Sequence, residues 1–169
     1  NRFVKTAGFI AEQQAGRRLP RAAMPMLFVN GTNDRHNWLD AWQRTHRLHT
    51  LAPHTLAFKV RMPHGHPPAG DPPEITAFAD GILRGGLGLP RIERTGRAGR
   101  DAWVTFAAAP EVTKVELVWT ADRGEWPERR WQTAPAQVDA ARRRATATVP
   151  ADALICYFNV FDARGLLAS

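Results

Sequence analysis

The sequence predicts an α/β segment followed by a small antiparallel β-sandwich. Up to about residue 88, short apolar runs alternate with stretches of helical periodicity. Past Leu89-Pro90 no helical period of any length remains, and strand-like segments are separated by Gly, Pro and Asp turns. We therefore predict two domains, residues 1–88 and residues 89–169, joined near Gly85 to Pro90.

Strands and helices are predicted in turn along the first domain. Met26 to Val29 is a continuous apolar run that ends at Asn-Gly, which is typical of a buried strand, and Thr55 to Val60 is interpreted as a second strand. Apolar residues at steps of three and four predict a helix from Trp38 to Leu51. A proline pair before Glu74 to Leu83 and a glycine pair after it predict another helix. Asn1 to Pro20 is ambiguous, and we interpret it as a helix that leads into the first strand.

The order strand, helix, strand, helix predicts the edge of a mostly parallel sheet with covering helices. In such sheets, functional side chains gather in the loops beyond the carboxyl ends of the strands. Asp34 follows the first predicted strand, and His64 stands in the Pro- and Gly-rich loop after the second. Both side chains are therefore expected at the same edge, and Gly31 and Gly65 are expected to let the backbone bend beside them.

The second domain is predicted from segments that mix alternation with β-branched and aromatic residues. These segments are Ala102 to Ala107, Val112 to Thr120, Arg144 to Val149 and Leu154 to Phe161. Short strands separated by turn residues in this way are the pattern of a small antiparallel sandwich.

The composition restricts the classes of partner. The net charge of +7 comes almost entirely from arginines spread over the whole length, whereas nucleic-acid binding needs basic residues gathered on one face with aromatics between them. No stretch reaches the roughly 18 consecutive apolar residues of a membrane-spanning helix. We therefore expect neither a nucleic acid nor a membrane as partner. The lone Cys156, flanked by bulky apolar residues, is interpreted as a small core hydrophobe.

Asp34 and His64 have the side chains of the acid and the base in a nucleophile-base-acid system. A histidine accepts the proton of an attacking hydroxyl and later donates it to the leaving group, while a carboxylate fixes its tautomer. We predict these catalytic roles for His64 and Asp34, without a cofactor, and expect the two side chains to approach hydrogen-bond distance, roughly 2.6 to 3.2 Å. The only serine in the sequence is Ser169, its last residue.

Five short motifs strengthen this interpretation. They are Asn-Gly-Thr-Asn-Asp-Arg-His (30 to 36), Met-Pro-His-Gly-His (62 to 66), Phe-Ala-Asp-Gly-Ile-Leu (78 to 83), Gly-Leu-Pro-Arg-Ile (88 to 92) and Asn-Val-Phe-Asp-Ala-Arg-Gly-Leu-Leu (159 to 167). Together they resemble the C-terminal part of bacterial acetyl xylan esterase-like α/β hydrolases, relatives of the dienelactone hydrolase and prolyl oligopeptidase group.

The resemblance implies a serine hydrolase that acts on esters, often of carbohydrates, with a small β domain appended. It implies Asp34 as the triad acid and His64 as the triad base. In that family the serine comes first, on a Gly-x-Ser-x-Gly elbow, and neither this elbow nor the oxyanion-hole loop has a counterpart here. We therefore expect the nucleophile upstream of Asn1, in a missing N-terminal part of the same hydrolase, and expect this chain alone to be inactive.

Other histidines near the pair leave alternatives open. His36 and His66 are possible pocket residues, and His66 is the rival of His64 for the role of base. With Asp71 and Asp34, these histidines also offer the nitrogen and oxygen ligands that zinc hydrolases use. A metal-dependent hydrolase that uses His64 and His66 is thus the less favoured alternative, and we assign no metal ligand.

The remaining alternative belongs to another class of protein. The chain could serve as a non-catalytic accessory module, whose sandwich binds carbohydrate or a partner domain through tryptophan side chains. This hypothesis expects Trp126 and Trp131 to be exposed on one face.

Overall fold

The computed structural model describes residues 15–62, 64–65 and 71–169, so most of the predicted opening helix lies outside the described residues. The helices are α1 (Ala15–Arg18), α2 (Leu39–His46) and α3 (Pro73–Leu83), with 3-10 turns at Leu19–Arg21 and Trp126–Glu128. The strands are β1 (Met26–Gly31), β2 (His54–Lys59), β3 (Ile92–Ala98), β4 (Asp101–Phe106), β5 (Val112–Thr120), β6 (Gln132–Pro135), β7 (Gln137–Asp139), β8 (Arg144–Thr148), β9 (Ile155–Asp162) and β10 (Leu167–Ala168). No helix of the described residues is long and apolar enough to cross a membrane.

The predicted α/β fold class is wrong. Within the described residues, only β1 and β2 pair in parallel, and the other strands form two antiparallel sheets of four strands each. The described chain is therefore mainly a β-sandwich-like fold. The physical reason is that the first half contains apolar runs for two strands only, whereas parallel sheets are normally larger and covered on both faces.

The sandwich is built from sheets with the strand orders β3-β4-β8-β7 and β10-β9-β5-β6. The longest pairing joins β5 to β9 from Val112 opposite Asp162 to Thr120 opposite Ile155. Alternate residues of β4, beginning with Ala102, are buried, and they join residues of β5, β8 and β9 in one apolar core. Burial of this shared core is the main force that holds the two sheets together.

Four strands of the sandwich, β3, β6, β7 and the two-residue β10, were not predicted. The residues of β3, β6 and β7 are mostly exposed, and β3 reads Ile-Glu-Arg-Thr-Gly-Arg-Ala. Each of these three strands lies at an edge of its sheet, so neither hydrophobic alternation nor a continuous apolar run marks it in the sequence. The charged side chains of β3 are typical of an edge strand that avoids pairing with other molecules.

Helix α2 is shorter than the predicted segment from Trp38 to Leu51. It ends at His46, after which the N–H groups of Leu48 and His49 donate to carbonyls three residues back, each at 3.1 Å. The chain thus tightens into turns before Pro53, which cannot donate to a continuing helix.

Several contacts cross the predicted domain boundary. The N–H of Ser169 donates to the carbonyl of Leu56 at 2.8 Å, and the N–H of Phe58 donates to Ser169 Oγ at 2.8 Å. An apolar cluster joins Leu39 and Phe58 from the first half to Val118 and Trp131 from the second. The division at residue 88 stays a prediction, and these contacts pack β2 against the sandwich.

Candidate functional site

Asp34 stands in a compact loop directly after β1. Asn30, the penultimate residue of β1, holds this loop closed, because its Nδ2 donates to the carbonyl of Asn37 at 2.7 Å. The N–H groups of His36 and Asn37 both donate to Asp34 Oδ1, at 2.7 and 2.8 Å. The Asp34 carboxylate therefore has one oxygen fixed by backbone donors, which also fixes the direction of the other oxygen.

The loop that carries His64 comes close to the end of β1. A Cβ atom built on Gly31 would lie 1.7 Å from the carbonyl oxygen of Met62, a contact that no larger residue can accommodate without movement of the backbone. Gly31 is thus required for the close approach of two chain segments, whereas the sequence suggested a sharp bend at this position. Gly65, beside His64, has a φ of 131°, which favours glycine.

The structure brings Asp34 and His64 together. Asp34 Oδ2 lies 3.0 Å from His64 Nδ1, within the expected hydrogen-bond range. The side chain of Asp34 is 7% exposed and that of His64 is 46% exposed, so a buried carboxylate orients an imidazole that solvent can reach. A carboxylate can only accept, so Nδ1 donates, and in the neutral ring the lone pair is then on Nε2.

The electrostatics of the loop favour an ionised Asp34. Burial raises the pKa of this carboxyl, but the hydrogen bonds from the N–H groups of Asn37 and His36 and the contact with His64 together hold the pKa below its ordinary value of 3.8. Asp34 therefore stays charged at neutral pH and can stabilise a positive charge on His64.

Of the two possible pocket histidines, the structure describes His36 but not His66. The ring of His36 lies next to that of His64, with the centroids 4.3 Å apart and the planes inclined by 44°. His66, the rival base and a metal-binding residue only in the less favoured alternative, lies outside the described residues. Among the residues that the structure describes, no group of three or more His, Cys, Asp or Glu side chains could hold a metal ion.

A segment from the second half borders the loop of Asp34, and no sequence pattern indicates this contact. Asn33 Nδ2 donates to the carbonyl of Pro127 at 2.7 Å and to that of Arg129 at 3.1 Å. Arg35 and Glu128 form an ion pair of 2.6 Å between exposed side chains. The connection between β5 and β6 thus contacts the residues on both sides of Asp34.

The tryptophans give little support to a sugar-binding platform. Trp131 is 1% exposed and packs edge-on against Phe58, with the ring centroids 6.2 Å apart. Trp126 is half-buried, and the guanidinium of Arg129 lies 3.7 Å from the centroid of its ring. Burial of Trp131 opposes the hypothesis that these two rings form one exposed binding face.

Ser169 is used in another part of the fold. Its hydroxyl accepts from the N–H of Phe58 and donates to Asn159 Oδ1 at 2.6 Å. Asn159, which is 1% exposed, also donates to the carbonyl of Phe58 at 3.3 Å. The hydroxyl of Ser169 therefore helps to fasten β2 to β9 and is engaged on both its donor and acceptor sides.

Comparisons with known proteins complete the description of the chain. No family model matches the sequence, and no curated protein matches it. One solved structure, described as a novel carbohydrate acetylesterase from Xanthomonas citri, aligns with 95% of this chain at 14% sequence identity and a TM-score of 0.48. The chain spans 43% of the length of that structure. At this TM-score the likeness carries no argument about the family or the activity of the chain.

Proposed function

We propose that this chain supplies the acid and the general base of a serine-type ester hydrolase. The observation that carries the proposal is the 3.0 Å contact between Asp34 Oδ2 and His64 Nδ1, with the carboxylate held from behind by two backbone N–H groups. This arrangement supports the proposal because an acid-base pair needs a fixed carboxylate, a fixed tautomer and an accessible second ring nitrogen.

The proposed chemistry follows from the orientation of the imidazole. With Nδ1 donating to Asp34, Nε2 accepts the proton of a serine hydroxyl as its oxygen attacks the carbonyl carbon of an ester. The resulting imidazolium is stabilised by the Asp34 carboxylate. Nε2 then donates the proton to the leaving alcohol oxygen, and a water molecule repeats the sequence to release the acid from the acyl-enzyme.

The nucleophile in this proposal comes from residues outside these 169. The sequence holds one serine, and its hydroxyl is engaged with Phe58 and Asn159. We propose that a preceding part of the same polypeptide provides the serine and that the substrate is an ester of a carbohydrate, in particular an acetyl ester. The isolated chain is accordingly proposed to be inactive.

The test uses the longer protein that contains this chain. A fluorophosphonate probe, which reacts with activated serine hydroxyls, and an acetylated sugar substrate are applied to the variants His64→Gln and Asp34→Asn. We expect both variants to lower kcat by roughly 10³ to 10⁴-fold, because the base or its orientation is lost. Asp80→Asn, which changes an exposed carboxyl on α3, is the matched control and keeps its activity.

Two outcomes would contradict the proposal. Full activity and full probe labelling of His64→Gln would remove His64 as the base. Activity that is lost to a chelator and restored by Zn²⁺ would instead support the metal-dependent alternative.

A further inference from the structure

We propose that Thr32 and Asn33 are positioning residues, which fasten both loops of the Asp34–His64 pair to the main-chain carbonyls of Pro127 and Arg129. The inference rests on the proposed function for the role of the pair, but the hydrogen-bond network itself is independent of that role. It makes the connection between β5 and β6, more than 90 residues away in sequence, a structural support of the site.

Asn33 makes the contact with the sandwich. Both hydrogens of its Nδ2 group have acceptors, the carbonyls of Pro127 and Arg129, and its Oδ1 accepts from the hydroxyl of Thr32 at 2.7 Å. An aspartate here would direct a carboxylate at two carbonyl oxygens, so the amide chemistry of asparagine is required. Asn33 precedes Asp34 directly, and its fixed side chain therefore restricts the backbone that directs the carboxylate.

Thr32 connects the second loop, which carries His64, to this hydrogen-bond network. Its side chain is buried, with the residue 2% exposed, and its Oγ1 accepts from the N–H of Arg61 at 2.8 Å while donating to Asn33. Arg61 has a φ of 58°, an uncommon conformation for a residue with a side chain, and it stands three residues before His64. The Thr32 hydroxyl thus joins the loop of Asp34 to the turn that leads to His64, beside the backbone hydrogen bond from the N–H of Thr32 to the carbonyl of Lys59 at 3.0 Å.

The other contacts of these two loops with residues 127–131 are weaker supports. The ion pair of Arg35 with Glu128 joins side chains that are 71% and 60% exposed, and exposed ion pairs contribute little. Arg61 Nη2 reaches the carbonyl of Trp131 at 3.4 Å, at the long end of the hydrogen-bond range. The shorter, less exposed hydrogen bonds of Thr32 and Asn33 are therefore the contacts expected to fix the geometry of the pair.

The experiment uses NMR on the chain itself. We expect the hydrogen bond to Asp34 to shift the proton on His64 Nδ1 downfield and to slow its exchange with solvent, so that its resonance reports the pair. Exchange of the Arg61 N–H with solvent deuterium reports the hydrogen bond to Thr32. The variants are Asn33→Ala, Thr32→Val and Thr32→Ser, with Glu128→Gln as the control that removes only the exposed ion pair between the same segments.

We expect Asn33→Ala and Thr32→Val to lose the His64 Nδ1–H resonance, and Thr32→Val to accelerate exchange at Arg61 at least about tenfold. Thr32→Ser retains the hydroxyl and Glu128→Gln retains the network, so both keep the resonance. In the two disruptive variants the pKa of Asp34 also moves upward, since the backbone donors that lower it are less well held.

The outcomes separate this inference from the proposed function. Folded Asn33→Ala and Thr32→Val chains with an unchanged His64 resonance would overturn the positioning role and leave the pair intact. If Asn33→Ala does not fold, the comparison of Thr32→Val with Thr32→Ser decides. A wild-type chain without the resonance, but with exchange at Arg61 that depends on the Thr32 hydroxyl, would overturn the proposed pair and support the network.

Discussion

Gly31→Ala is expected to separate the two loops of the site. The added Cβ would lie 1.7 Å from the carbonyl oxygen of Met62 and 2.6 Å from its carbonyl carbon, so it meets backbone and not a flexible side chain. Even the shortest separation that real Cβ atoms show, 3.0 Å, requires the two segments to part by about 1.3 Å. Because Met62 precedes His64 by two residues, a shift of this size stretches the 3.0 Å contact with Asp34 beyond hydrogen-bond distance.

The free energy of unfolding should fall by about 1 to 3 kcal/mol, as is usual when a group is forced into a filled space. Urea denaturation measures this change, and the His64 Nδ1–H resonance reports the contact with Asp34. Gly124→Ala is the matched control, since a Cβ at that glycine meets nothing within 4 Å. The reasoning is wrong if Gly31→Ala keeps both the stability of the control and the resonance.

Three further predictions concern stability. The pKa of Asp34 is lowered in the folded chain, so the stability that its charge contributes is present above pH 3.8 and is lost as the pH falls through the folded pKa. Urea titrations of Asp34→Asn at several pH values should lack that acid-dependent loss of stability. Lys59→Met should lower the free energy of unfolding by about 3 kcal/mol, because it leaves the fully buried Glu74 unpaired. The double variant with Glu74→Met should recover most of this loss. The control Arg84→Met, at an exposed ion pair, should change the free energy of unfolding little. Trp131→Ala should lower the free energy of unfolding by about 3 to 5 kcal/mol, measured by thermal or urea denaturation. A decrease below about 1 kcal/mol would contradict the place of Trp131 in the core.

Sequence patterns located strands that have a buried face, but they did not reveal the class of the fold. The predicted second strand, Thr55 to Val60, differs from observed β2 by one residue at each end, because an apolar run needs burial wherever it lies. Periodicity contains no information on how many strands join a sheet. The prediction therefore placed β1 and β2 in a larger, mostly parallel sheet, whereas most of the observed strands are antiparallel.

The proximity of Asp34 and His64 was predictable from the sequence because each residue follows a strand of the same parallel pair. Parallel strands place their carboxyl ends at one edge, so Asp34 and His64 could be expected as neighbours before any distance was known. The roles of Thr32 and Asn33 left no comparable signal, since a Thr-Asn dipeptide after a strand is equally compatible with an ordinary turn.

The contacts between Asn33 and the β5–β6 connection cannot be predicted from the sequence, for a physical reason. Asn33 contacts the main-chain carbonyls of Pro127 and Arg129, and a carbonyl is offered by every residue, so no side-chain pattern marks these acceptors. Only the position of the β5–β6 connection makes them available, and that position depends on the burial of Trp131 against Phe58. The geometry of a two-residue pair is thus set by packing between segments that are distant in the chain, which local periodicity cannot report.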